Sequence, residues 1–155
     1  MRKIYLITLL CMLHNAIVPA QSYDEDRIVL SNFVERLYNN SPFEGCRIID
    51  DYDHTYLLSV VVLNPTTYKA KTAMNRVSQV KSQRNAGEFF NGTLSFSEFV
   101  VQTEKSKEHG NNKDISDTIE SIKTSSIGFV QQMQLLTTFY DEDNYMVYVY
   151  YKEMN

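Results

Sequence analysis

The stretch from Asn64 to Gly92, NPTTYKAKTAMNRVSQVKSQRNAGEFFNG, constrains the fold more than any other, because it reads as one long helix between two β-rich halves. Its ends carry the signals. Asn64 is a good N-cap, and Pro65 suits the first helical position, where a missing N–H costs nothing and φ is already fixed. Asn91-Gly92 supplies a left-handed stop. Between them Ala70, Ala73, Met74, Val77 and Val80 fall on one face at helical spacing, while Lys69, Lys71, Arg76 and Lys81 mostly fall elsewhere. Burying Met74, Val77 and Val80 contributes roughly 1.5–3 kcal/mol each, enough to hold a helix of only fair propensity. A sheet is the natural partner for that face. Arg84 interrupts the stripe, so it is expected to reach the helix edge or pair with a carboxylate, Asp50 and Asp51 being candidates. Ala86, Phe89 and Phe90 project to other sides, so the last turns meet a different surface or the helix bends near Gly87.

The chain opens with Met-Arg-Lys, continues with the apolar run from Ile4 to Leu13, and reaches Val18-Pro19-Ala20 before Gln21. This is the layout of a secretory signal: a positive start, an apolar core too short to span a bilayer, and small residues before the cut. Cleavage is expected after Ala20, with no transmembrane segment remaining. Lipidation at Cys11 fits less well, because Leu10 stands where a small residue is wanted. Removing residues 1–20 from 155 leaves 135, a length suited to one domain, residues 21–155. Arg2 and Lys3 leave with the segment and no acid does, so the formal charge moves from −4 to −6. An acidic chain is a poor nucleic-acid binder. Cys46 is then the only cysteine, which excludes an internal disulfide and a Cys-based zinc site; an intermolecular disulfide stays open, and a buried apolar thiol is the expected state.

Ser22-Tyr23-Asp24-Glu25 has the form of a capping box, and Val29, Leu30, Phe33 and Leu37 make an apolar stripe ending before Asn39-Asn40-Ser41-Pro42. A short first helix is expected there. Cys46–Tyr52 and Thr55–Leu63 form a β-hairpin about Asp53-His54, the second run, TYLLSVVVL, having the character of a central strand. Leu94–Thr103 alternates and reads as a third strand, while Glu104–Asp114 is polar and reads as a surface loop. Ile115, Ile119 and Ile122 keep helical spacing. Ile127–Phe139 fits a strand better than a helix, although both patterns are present. The Asp141–Asn144 turn leads to Tyr145–Tyr151, YMVYVYY, a strand that closes a C-terminal hairpin. The expected class is α+β: an antiparallel sheet with one long helix packed across a face, a short N-terminal helix and a C-terminal β-hairpin.

The helix around Ala70 and Ala73, the Asn91-Gly92-Thr93 turn with its following strand, and the Ser126-Ile127-Gly128-Phe129 entry into a terminal hairpin make a pattern. It resembles the small periplasmic lipoproteins of the LPP-twenty type and the N-terminal domain of the flagellar protein FlgT. The leader, the asparagine content and the acidic balance look like those of secreted Bacteroides-type proteins. The resemblance implies an envelope location and a non-enzymatic role. It transfers no functional residue, and without a lipobox it carries over no lipid anchor.

Asp50, Asp51, Asp53 and His54 form the one cluster with a chemical look, and Asp51, Asp53 and His54 are the candidate metal ligands. An EF-type loop starting at Asp51 would need Gly at Tyr56 and an acid at Val62, and both fail. Aspartate and histidine also suit a solvated turn, as do Asp141, Glu142 and Asp143. No Gly-x-Ser-x-Gly elbow and no phosphate-cradling glycine loop occurs, and Cys46 makes a thiol site only if the fold brings a remote histidine to it. Asn91-Gly92-Thr93 matches a glycosylation sequon, which a helix-stop turn explains equally well. Tyr145, Tyr148, Tyr150 and Tyr151 are either an aromatic platform for a partner or ordinary strand residues. The expected function is that of a non-catalytic protein-binding or assembly module of the cell envelope, without a cofactor, engaging its partner through a sheet edge or the tyrosine strand. The alternative is a small metal-binding or hydrolytic protein using the Asp50–His54 tip.

Overall fold

The computed structural model describes residues 18–68, 70–92, 96–109, 115–123 and 126–154. Most of the expected leader, residues 1–17, lies outside them. The chain divides into two compact units, Met1–Ser41 and Pro42–Asn155.

In the first unit, helix α1 runs from Val18 to Asn40. It starts earlier than the capping-box pattern implies, so Ser22 lies inside the helix instead of capping it. Pro19 near the start suits a first turn, whose N–H groups need no intrahelical partner. Leu30, Val34 and Tyr38 are buried at four-residue spacing, whereas Val29, counted in the expected stripe, is exposed. Ser41 N–H donates to Leu37 O at 3.1 Å and closes the last turn. No helix of the described residues is long and apolar enough to cross a membrane.

The second unit is α+β. Strand β1 (Gly45–Asp51) and strand β2 (His54–Leu63) form an antiparallel hairpin in register from Gly45↔Val60 to Asp51↔His54. Helix α2 (Lys71–Asn91) follows, then strand β3 (Val100–Gln102) and helices α3 (Glu104–His109), α4 (Ile115–Lys123) and α5 (Ser126–Gln131). Strands β4 (Gln134–Tyr140) and β5 (Met146–Glu153) close the chain as the expected hairpin. Asp141 builds its turn, its Oδ1 accepting from Asp143 N–H at 3.0 Å and Tyr145 N–H at 2.8 Å. The sheet order is β3-β1-β2-β5-β4. All pairings are antiparallel except β1 with β3, which is parallel.

Helix α2 lies across the sheet, but its start and its buried face differ from the sequence expectation. Asn64 is a cap, though of a 3-10 turn at Pro65–Thr67: its Oδ1 accepts from Thr66 N–H at 2.9 Å. Tyr68 and Ala70 are extended, so the α-helix begins only at Lys71, without a side-chain cap. It continues unbroken past Gly87 to Asn91, and Gly92 is extended at φ −70°, not left-handed. The buried line is Met74, Ser78, Ser82, Ala86 and Phe90, while Val80 is 66% exposed. A stripe of small residues lets the helix backbone approach the sheet closely: Ser59 Oγ on β2 donates to Ser82 O at 3.2 Å. Arg84 is solvent-facing and pairs with Glu88 at 2.8 Å, one helical turn on, instead of with Asp50 or Asp51. That pairing holds its guanidinium above the usual arginine range.

Beneath α2 the core joins Ile48, Leu57, Val61, Leu63, Tyr148 and Tyr150 to Met74, Ala86 and Phe90. Ile119 of α4, Val130 of α5 and Met133 extend it. On the opposite face of the sheet Ile49, Leu58, Val60, Val147 and Val149 are fully buried, and β2 and β5 are the interior strands of the order. Three other segments correct the sequence reading. Phe96–Phe99 is a 3-10 turn, which leaves only three residues for β3. Glu104–His109 is a helix instead of loop, and Ile127–Phe139 divides into helix α5 and strand β4 at Gln132-Met133.

Candidate functional site

The acidic tip of the β1–β2 hairpin anchors helix α3. Asp50 is 1% exposed, and its Oδ2 accepts from Ser106 Oγ at 2.8 Å and from Gln102 Nε2 at 3.3 Å. Its backbone carbonyl accepts from Thr103 N–H at 3.0 Å. Thr103 Oγ1 donates to Asp51 Oδ1 at 2.6 Å and also faces Ser106 N–H at 3.4 Å, the position of an N-cap. Lys105 Nζ pairs with Asp53 Oδ2 at 2.5 Å. A buried carboxylate is costly unless hydrogen-bonded, and here the donors come from β3 and α3. The polar run after Thr103 therefore folds as a helix, capped by Thr103 and tied by the Ser106 hydroxyl to a buried acid.

His54 points to a different partner. Its Nδ1 lies 2.7 Å from Glu153 Oε1 on β5, and its ring stacks on Tyr56 at 5.9 Å. Asp51, Asp53 and His54 are thus engaged with Thr103, Lys105 and Glu153 respectively, and no group of three metal-ligating side chains occurs among the described residues. Cys46 offers no nucleophile either. Burial pushes its thiol up to about 12, outweighing the opposing hydrogen bond with Ser59, so it stays protonated at neutral pH.

The tyrosines of β5 lie mostly inside. Tyr148 and Tyr150 are buried under α2, where Tyr148 OH donates to Asn75 Oδ1 at 3.1 Å and Tyr150 OH meets Ser78 Oγ at 2.8 Å. Desolvation raises both phenols above their ordinary range. Tyr151 is buried on the opposite face beside Tyr56, 6.1 Å between ring centroids. Only Tyr145, at 39%, is exposed. The four side chains are not a shared surface platform: alternation along the strand sends Tyr148 and Tyr150 under α2, where their hydroxyls bond Asn75 and Ser78, and Tyr151 to the opposite face, while Tyr145 stays exposed before the strand.

Sheet order places β4, not β5, at the outer edge. Its sequence, QLLTTFY, contains no charge, proline or glycine. Thr138 and Tyr140 are exposed, Tyr140 at 60%. A register shift between Leu135 and Thr137 bulges the first part of the strand, and Thr137–Tyr140 then pairs regularly with Val149–Met146. Natural edges are commonly guarded by lysine, proline or short length; QLLTTFY carries no lysine and no proline, and it is bulged near its start. The opposite edge, β3, has only three residues and runs directly into α3. The absence of charge in QLLTTFY was the available sequence signal for this edge, obscured by the apolar residues of α5 just before it.

No family model matches the chain, and neither the curated proteins nor the solved structures contain a significant match.

Proposed function

We propose that this protein is an exported, non-catalytic envelope module that binds another protein by strand addition at β4. The observation that carries the reading is an uncharged seven-residue strand at the end of a sheet whose central strands are buried. Around the exposed Thr138 and Tyr140 such an edge can take main-chain hydrogen bonds from an extended partner segment, with alternate side-chain positions supplying selectivity. Export is supported by the Met1–Ala20 pattern, with cleavage after Ala20 into the periplasm or the medium, and the pattern likeness to LPP-twenty and FlgT-type envelope proteins points the same way. The metal or hydrolytic reading of the Asp50–His54 tip draws no support from carboxylates already committed to Thr103, Lys105 and Ser106.

Crosslinking in intact cells followed by pulldown tests the proposal, with the native chain compared with a Thr138→Lys/Tyr140→Lys variant. Both substitutions fall on exposed side chains of β4 and place lysines where natural edges carry them. A reproducible partner captured by the native chain and lost by the folded variant is the expected result. No reproducible partner, or equal capture by both chains, refutes strand addition at β4.

A further inference from the structure

A groove of about 300 Å³ lies beside the start of β1, bounded by α2 and the 3-10 turn before β3, with Glu44, Cys46, Arg47, Glu88, Phe89 and Phe99 in its wall. Its volume is at the lower end of the range for small-ligand sites. Arg47 is its distinctive group. The guanidinium carbon sits 5.1 Å from the Phe43 ring centroid and 5.7 Å from that of Phe99, so two rings fix its position. Its hydrogen bond among the described residues is a long one, Nη1 to Glu98 O at 3.5 Å, and no ion pair among those residues includes it. The two acids of the wall are differently placed: Glu88 pairs with Arg84 at 2.8 Å, and Glu44 Oε1 accepts from Val62 N–H at 3.3 Å. Arg47 is therefore a pre-positioned cation with donors to spare.

We propose that this groove binds a small monocarboxylate with an apolar, preferably aromatic, body, the carboxylate on Arg47 and the body against Phe89 and Phe99. A guanidinium held by stacking loses little freedom when it grips a carboxylate in its two-pronged fork. Phe89 and Phe99 meet edge to face at 5.6 Å and provide the apolar wall. Glu44 and Glu88 repel a second negative charge, which selects a monoanion over a dianion. The site is separate from the β4 edge, and its test does not depend on the strand-addition reading.

Titration of the isotopically labelled protein with N-acetyl-L-phenylalanine, followed by amide chemical shifts, is the direct experiment, with N-acetyl-L-phenylalaninamide as the uncharged control. Saturable shifts are expected around Arg47, Phe89 and Phe99 with the acid, and at least tenfold weaker binding of the amide. Arg47→Gln weakens the acid at least tenfold and leaves the amide unchanged. An absence of saturable shifts, equal binding of acid and amide, or an Arg47→Gln protein that binds the acid normally overturns the proposal. Should Arg47→Gln fail to fold, the comparison of acid with amide on the native chain decides the matter alone.

Discussion

Replacing Ser82 by alanine should stabilise this protein, although Ser82 is fully buried in the contact between α2 and the sheet. Its Oγ has no hydrogen-bond partner among the described residues, while its backbone carbonyl accepts from Ser59 Oγ. A desolvated hydroxyl without a partner costs about 1–3 kcal/mol, and alanine is better than serine inside a helix by up to about 0.5 kcal/mol. The loss of one small buried atom takes some of this back, so Ser82→Ala is expected to gain roughly 1–2 kcal/mol. Ser78, one turn earlier, is equally buried but bonds Tyr150 at 2.8 Å. Ser78→Ala removes that bond and leaves the phenol only a longer contact, 3.4 Å to Asn75 O, so it should cost about 1 kcal/mol. Two serines in one helical line are thus given opposite signs. Urea unfolding with an unchanged slope reads both, and each kcal/mol corresponds to about 4 °C in melting temperature for a chain of this size. A Ser82→Ala protein less stable than the native one by 1 kcal/mol or more would falsify the packing described for α2.

Asp50→Ala strands the buried Ser106 hydroxyl, so it should cost about 2 kcal/mol and speed amide exchange through Glu104–Glu108 more than in β2; equal acceleration everywhere contradicts the anchoring role. At alkaline pH the raised Cys46 thiol sets the sign. Folding holds its proton more tightly than the unfolded chain does, so this contribution is complete below about pH 9 and is lost as pH rises from 9.0 towards about 12. Tyr148 and Tyr150, also raised, add to the same decline, and stability measured between pH 8 and 11 should fall steadily above 9. Under the proposed export, mass spectrometry of the protein recovered outside the cytoplasm should find Gln21 at its N-terminus; a chain retaining Met1 there contradicts cleavage after Ala20.

The elements whose patterns are local were readable in the residues. Strands β2 and β5 are dense β-branched and aromatic runs, the Asp141–Asn144 turn is signalled by its acids, and Ile115–Lys123 keeps its apolar spacing. An apolar stripe in a sequence implies that its large side chains are buried, which holds for only part of helix α2. Close approach to the sheet favours Ser78, Ser82 and Ala86, and Val80 turns outward as a consequence. Asn64 and Pro65 are genuine helix-start residues, but Tyr68 and Ala70 return the chain to extended geometry before Lys71. The acidic tip was visible as a cluster, but its partners were not, because Thr103 and Ser106 stand about fifty positions away and meet Asp50 and Asp51 only through the parallel pairing of β3 with β1. Likewise the tyrosines were legible and their burial was not, since only the sheet order shows that β5 is interior and β4 is the edge.

Amide hydrogen exchange along Gln134–Tyr140, measured for the protein alone and with the partner recovered from cells, tests strand addition most directly. Slowed exchange is expected at the β4 amides that face away from β5, with β2 and β3 unchanged. A bound partner that leaves β4 exchange as it was, or protects another surface instead, contradicts it.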